Sequence, residues 1–400
     1  MIEIGAGQIV GDIAEDEVRV SVCVNCARHP SLKHIIQADS IAGLCALCGR
    51  SDAIVRSPDS TEPMVMLIRA LIRFYWDEFE YNGHWGGDSV LDLFTDDGNP
   101  VLEPAVTDDY LDDFDYLLQE PTYPPTSDGV AIYAGFDEGG GRMINFAISR
   151  TNPRPFVELQ HRLLSENFFE VEPALEALID PFLSDIALEL PVEEIWFRAR
   201  LGNKAVYQHF EGGWTNKIIR QPWLGSDIGA PPPLNAGIGR LNRAGVSMLY
   251  LASDSYTAIT EIRPHPGHYI SLGGFRSVEP LRLADFNPDI ALFSANDDRL
   301  DLYAVIQAFD RLMSMPVTPD EKTSYLLTQL LAEVLLRRGF DGVRFRSSVS
   351  DGINICVFHP AKFEFAEGHS EVRRLESVKY DAPAVPSLVE PSGEDLLLKG

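Results

Sequence analysis

The chain has 400 residues, 45% of them hydrophobic and 23% charged, which is enough apolar material for two or three domains with cores of their own and too much for a disordered chain. Its formal charge of −27 excludes a surface generally built to neutralise nucleic-acid phosphates with Lys and Arg. No stretch approaches the roughly 18 uninterrupted apolar residues of a membrane span, and Met1 to Val10 lacks the basic and apolar regions of a leader, so a cytoplasmic protein that neither binds nucleic acid nor enters a membrane is expected.

Four of the five cysteines lie near the start, as Cys23-x2-Cys26 and Cys45-x2-Cys48. Each such knuckle turns tightly enough for both sulfurs to face one ion, and two knuckles supply the four thiolates of a closed tetrahedral zinc site. Two disulfides suit a leaderless chain poorly, and a redox pair does not explain two knuckles. With four protein ligands the zinc would be structural. His29 and His34, between the knuckles, are read as surface residues. Residues 1–58 are therefore expected to form a zinc-binding module.

A polar linker around Arg56 to Pro63 follows, then an apolar run from Met64 to Phe79. Leu67, Ile68, Leu71, Ile72 and Tyr75 recur at helical spacing, with Ser60 or Thr61 as cap. Further helices are expected at Pro155 to Glu166 and at Glu172 to Ala187, and short strands at Val130 to Phe136 and Met143 to Ser149. Residues 61–190 hold 26 acidic against 6 basic side chains, so residues 59–190 are expected to form an acidic, mainly helical domain. Arg154 and His161 echo the Arg-x4-6-His signature of HEPN ribonucleases, but the acidic surroundings argue against RNA as a ligand.

From Glu194 the pattern changes to short strands and Gly/Pro-rich loops. Strands are expected at Ile195 to Ala199, Met248 to Ala252, Gly342 to Arg346 and Ile353 to Phe358. A short helix is expected from Ser255 to Ile262 and a longer one from Pro319 to Arg338, capped by Thr318 and stopped by Gly339. Cys356 falls in an apolar strand and reads as a small core residue. Residues 371–400 read as a tail.

Several polar residues in this half stand where a fold alone does not demand them. Arg198 and Arg200 interrupt an apolar strand, Arg240 and Asn242 sit in Gly239-Arg-Leu-Asn242, and Tyr250 precedes Glu261 by eleven residues. Ser347, Ser348 and Asn354 surround the last polar turn. The order Phe-Arg-Ala-Arg, Gly-Arg-x-Asn-x-x-Gly, Leu-Tyr-x-Ala with a downstream Glu, and Phe-Asp-Gly-Val-Arg-Phe-Arg-Ser-Ser with a downstream Asn resembles the RES domain. Arg198, Glu261 and Ser347 match the three residues that name that family, and the resemblance spans Ile195 to Phe365.

The resemblance implies an α+β protein in which residues 191–370 adopt an ADP-ribosyltransferase-like fold with a split, mixed or antiparallel sheet. It also implies an NAD+-degrading bacterial toxin, acting by phosphorolysis or hydrolysis, of a toxin-antitoxin or defence system. The paired cysteines and HEPN-like helices ahead of the domain resemble an arrangement found in the same family. NAD+ is then the substrate, inorganic phosphate a candidate co-substrate, and an antitoxin or regulatory protein the expected partner; a homo-oligomer stays open.

The chemistry gives these residue types their own reasons. Cleaving the bond between nicotinamide and ribose passes through an oxocarbenium-like sugar, which a fixed carboxylate, here Glu261, stabilises more than it stabilises the substrate. Tyr250 can stack on nicotinamide. Arg198 and Arg240 offer planar forks for the diphosphate or for inorganic phosphate. Ser347 and Asn354 can orient ribose or bind phosphate, and Asn242 and Arg200 complete the cofactor-binding set. Arg200 shares a strand face with Arg198, so the choice between them stays open, as it does between Ser347 and Ser348. The same residues would serve a mono-ADP-ribosyltransferase acting on a protein. A catalytically inert zinc-containing sensor or adaptor is the alternative of another class, and no Gly-x-Gly-x-x-Gly element supports a nicotinamide dehydrogenase.

Overall fold

The computed structural model describes residues 22–45, 47–57, 62–82, 85–95, 98, 101–103, 144–211, 215–316, 325–379, 382 and 384. Its elements in chain order are α1 (Pro30–Ala38), β1 (Ser40–Gly43), β2 (Ala53–Arg56), α2 (Glu62–Tyr75), α3 (Glu78–Tyr81), α4 (Val90–Thr95), α5 (Arg154–Arg162), α6 (Phe168–Ile179), β3 (Ala187–Leu190), β4 (Ile195–Leu201), β5 (Ala205–Glu211), β6 (Thr215–Gln221), β7 (Leu249–Ala252), α7 (Ser255–Glu261), β8 (Tyr269–Ser277), β9 (Leu281–Asp285), α8 (Asp297–Ser314), α9 (Leu326–Arg337), β10 (Gly342–Arg346), β11 (Ile353–Val357) and β12 (Phe363–Arg374). This is an α+β protein. It divides into two compact units, one of residues 1–189, 237–244 and 282–346, the other of residues 190–236, 245–281 and 347–400.

In the first unit the cysteine segment folds around the antiparallel pair β1 and β2, in register from Ser40 opposite Arg56 to Gly43 opposite Ala53. Met64, Leu67, Ile68, Leu71 and Ile72 of α2 are fully buried, as their helical spacing requires. The expected single helix to Phe79 breaks after Tyr75, because the Asp77 N–H is taken by the Glu80 carboxylate at 2.6 Å, a local bond that starts a new turn. The strand expected at Met143 to Ser149 does not form over its described part. Its backbone is taken instead by the start of α3 and the end of α2: Ala147 N–H donates to Asp77 Oδ1 at 2.7 Å and Ile148 N–H to the Arg73 carbonyl at 3.0 Å. The strand expected at Val130 to Phe136 and the caps Ser60, Thr61 and Thr318 lie outside the described residues.

The expected helix at Pro155 to Glu166 is α5, and that near 319–338 is α9 over its described part. The helix expected at Glu172 to Ala187 is α6 only as far as Ile179, where Asp180–Phe182 tightens into a 3-10 turn at Pro181 and Ala187 already begins β3. Sequence reasoning missed α8, the longest helix described, whose Asn296 side chain caps the Arg299 N–H at 3.0 Å. Its buried face mixes Leu300, Ile306 and Phe309 with Tyr303, Gln307 and Asp310, which blurs the apolar period.

The second unit is built on five antiparallel strands in the order β12-β8-β4-β7-β11. Strands β4, β7 and β11 stand where expected. Strand β12 runs to Arg374 and pairs with β8 as far as Tyr269, so residues 371–374 belong to the sheet and not to a tail. The row Phe197, Ala252, Asn354 crosses three strands, and directly opposed residues share a face. That face packs on α7: Ala199, Ala252, Ile270 and Leu272 bury against Ala258, flanked by Phe197 and Ile259. Helix α7 is thereby fixed over the face of the sheet that carries Asn354.

Candidate active site and metal centre

Asp254 starts α7. Its Oδ1 accepts the Thr257 N–H at 2.8 Å and its Oδ2 the Thr257 hydroxyl at 2.7 Å. Burial alone would raise this carboxyl, but the bonds from Thr257 and Ser253 outweigh it and hold Asp254 below the usual carboxylate range. The turn between β10 and β11 docks on the same point: Ser350 Oγ donates to Thr257 Oγ1 at 3.0 Å, and Ser347 N–H closes the turn on the Gly352 carbonyl at 2.9 Å. Gly352 admits no side chain here, since a Cβ would collide with Thr257 Oγ1 and lie 2.8 Å from Asp254 Oδ2.

One turn of helix further on, Glu261 meets that same polar turn. Its Oε1 accepts hydrogen bonds from Ser347 Oγ at 2.7 Å and from Asn354 Nδ2 at 2.6 Å. Asn354 is 6% exposed, whereas Glu261 is exposed. A buried amide and a turn hydroxyl thus aim an accessible carboxylate. Of the two serines, it is Ser347 whose hydroxyl reaches Glu261.

Arg198 donates from Nη1 to the Tyr250 carbonyl at 2.8 Å. Burial lowers its pKa, with Cys356 and Tyr250 close enough to act on it electrostatically; a guanidinium nevertheless keeps its charge. Cys356 pairs opposite Tyr250 in the sheet, and burial pushes its thiol up to about 12, which makes it an inert core residue as expected. Arg200 has other partners, donating to the Asp227 carbonyl and lying 4.5 Å over the Trp223 ring. Neither Asp227 nor Trp223 was singled out in the sequence, and no motif marks them.

Arg240 and Asn242 belong to the other unit. Arg240 donates to the carbonyls of Leu312 and Met315 at 2.8 and 2.9 Å. Asn242, 6% exposed, donates to the carbonyls of Gly237 and Arg243 at 2.8 and 3.1 Å. These bonds shape the 237–244 loop and hold it to α8.

The four N-terminal cysteines converge as their spacing predicts. Their sulfurs all lie within 4.8 Å of one another, with approaches of 3.9 Å for Cys23 to Cys48 and for Cys45 to Cys26. All four are free thiols, so the disulfide alternative is not realised. The Cys45 sulfur also receives the N–H groups of Cys23 at 3.3 Å and Leu47 at 3.4 Å, the environment of a thiolate. Its hydrogen bond with Cys26 and these backbone donors pull it down to about 4. This four-cysteine group can bind a metal. His29, expected at the surface, is half-buried instead, with its Nδ1 inaccessible, because its ring lies edge-on to Tyr75 at 6.2 Å.

Compared with known proteins, residues 215–380 match the model of the RES domain family. Tyr250, Glu261, Ser347 and Asn354 lie inside the matched segment; Arg198 and Arg200 precede it. No curated protein matches the chain. Among solved structures, the crystal structure of the M. tuberculosis MbcT-MbcA toxin-antitoxin complex is similar at a TM-score of 0.27 and 11% identity, covering 50% of this chain and 93% of that one.

Proposed function

Starting from a chain that carries a RES domain over residues 215–380, we propose that it is an NAD+-degrading enzyme acting as the toxin of a toxin-antitoxin or defence system, with an ADP-ribosyltransferase-like catalytic fold. The observation that carries this reading is the Glu261 carboxylate, exposed and oriented by Ser347 and Asn354. The bond between ribose C1′ and the nicotinamide nitrogen breaks, and nicotinamide leaves with the bonding pair. Positive charge then spreads over C1′ and the ring oxygen. A preorganised carboxylate stabilises that charge more than it stabilises the bound substrate. Attack on C1′ by inorganic phosphate gives an ADP-ribose phosphate ester; attack by water, with loss of one proton, gives ADP-ribose. Arg198 holds the diphosphate or the incoming phosphate, and Tyr250 lines the nicotinamide pocket. Arg240 and Asn242 act by shaping their loop, and Arg200 by fixing the segment that bears Asp227. Incubating the purified chain with NAD+, with and without phosphate, and weighing the products by mass spectrometry tests the reading. Free nicotinamide is expected, with the phosphate ester formed only when phosphate is supplied. Absence of nicotinamide in both arms would leave the inert adaptor reading in its place.

The metal is zinc, held by Cys23, Cys26, Cys45 and Cys48. Four free thiols so close, with N–H groups aimed at one sulfur, fit a thiolate-only site, and four protein ligands give the ion a structural role. An enzyme that drains NAD+ endangers the cell that makes it, so a neutralising protein partner follows from the same reading.

A further inference from the structure

The first unit holds a cavity of about 540 Å3 whose walls include His29, Phe74, Tyr75, Asp289, Tyr303 and Gln307. Its volume lies in the range of small-molecule sites, roughly 300 to 1,000 Å3. Gln307 projects from α8 and is only 4% exposed, yet its carboxamide nitrogen has no hydrogen-bond partner among the described residues; the buried His29 Nδ1 has none among them either. A buried donor without a partner is destabilising, so a water, an ion or a ligand that accepts from it is stabilising there. Burial holds the His29 imidazole below its ordinary pKa, so near neutral pH it offers one donor and one acceptor without charge.

The charges around the cavity are already engaged. Arg311 donates to the carbonyls of Ile148 at 2.6 Å and Thr151 at 2.8 Å and to Asn152 Oδ1 at 2.9 Å. Arg346 pairs with the buried Asp310. Asp289 accepts the Ala291 N–H at 2.9 Å and adds negative charge that a phosphate would oppose. What remains is aromatic surface from Phe74, Tyr75 and Tyr303, with neutral hydrogen-bonding groups between the rings. A primary amide presents a donor and an acceptor side by side, the pattern that reads an adenine edge at N6 and N7, and every base offers a π-face for aromatic stacking.

We propose that this cavity binds a neutral purine nucleoside, with the base against the aromatic walls and its edge read by the Gln307 amide. It is a second small-molecule site, independent of the Glu261 chemistry. Calorimetric titration of the full chain with adenosine tests it. Saturable binding of one adenosine per chain is expected, with AMP weaker by tenfold or more because its phosphate meets Asp289. Gln307→Leu should weaken adenosine at least tenfold while melting at or above the wild-type temperature, since it removes the unpaired donor without emptying the site. Tyr75→Leu, which removes a stacking ring, should also weaken adenosine. Glu261→Gln should bind it as the wild type does. No saturable adenosine binding, full affinity in both Gln307→Leu and Tyr75→Leu, or loss of binding in Glu261→Gln would each overturn the proposal. Because NAD+ cleavage is not read in this experiment, either reading can fail without the other.

Discussion

Both donors to Glu261 land on the same oxygen, Oε1, so the exposed carboxylate is aimed through one of its two oxygens. Removing one hydrogen bond to a charged group typically costs about 1.5–3 kcal/mol. Ser347→Ala should therefore reduce turnover roughly tenfold to a hundredfold if its bond is needed in the transition state. Asn354→Asp should reduce it further, because it sets a second carboxylate where the buried donor stood, 2.6 Å from Oε1. Steady-state rates of nicotinamide release check both; equal rates in Asn354→Asp and wild type would remove Asn354 from the site. Arg198→Ala should raise KM as well as lower kcat, since a fork that holds a ground-state phosphate contributes to both. At this scale Glu261, Ser347 and Asn354 were legible through the ordered motifs that resemble the RES domain, since a Glu at a short helix end or a polar residue beside a turn is otherwise ordinary local chemistry. Asp254, Thr257 and Gly352 were not, because a cap, a buried threonine and a turn glycine are ordinary local chemistry until the fold brings them together.

Among the elements, the junction of α7 with the 347–352 turn sets the geometry of the site. Adding a methyl group at Gly352 drives a Cβ into Thr257 Oγ1, and overpacking of this kind costs about 1–3 kcal/mol. Gly352→Ala should lower the melting temperature and the cleavage rate together. Loss of rate alone, at unchanged melting temperature, would mean that the turn acts on the site without supporting the fold. The Asp254 cap also makes α7 sensitive to acid. Its pKa is depressed in the folded chain, so its stabilisation is fully present above the ordinary carboxylate pKa and is lost as pH falls through the lower, folded value. Asp254→Asn should therefore cost most at neutral pH and converge with the wild type in acid, as thermal melting across pH would show. Strands β4, β7 and β11 and helices α2, α7 and α9 were readable from the spacing of their apolar residues and from their flanking breakers. Helix α8 and strand β12 were not: α8 buries Gln307 and Asp310, and β12 alternates exposed charges with few apolar residues at its end.

For the molecule as a whole, the cysteine spacing and the ordered motifs carried most of what could be read, while the division into units could not be. Segments 237–244 and 282–346 pack with residues 1–189, and nothing local in a chain announces such long-range returns. The metal centre gives one prediction at this scale. Ligand binding energy in a site without a preformed apo state is folding energy, so one zinc per chain is expected, and its removal by a chelator should melt the Cys23–Cys48 segment, read as lost protection in hydrogen exchange. Metal-free protein with full protection there would contradict a structural zinc.

On the proposed reading, Glu261 drives cleavage of NAD+. Its most direct test is the initial rate of nicotinamide release by the full chain and by Glu261→Gln at saturating NAD+. The substitution keeps the size of the side chain and removes the charge opposite the oxocarbenium, so a loss of about 100-fold to 1000-fold is predicted, with the fold intact by circular dichroism. Release at the wild-type rate by Glu261→Gln would mean that the Glu261 carboxylate takes no part in cleaving the bond.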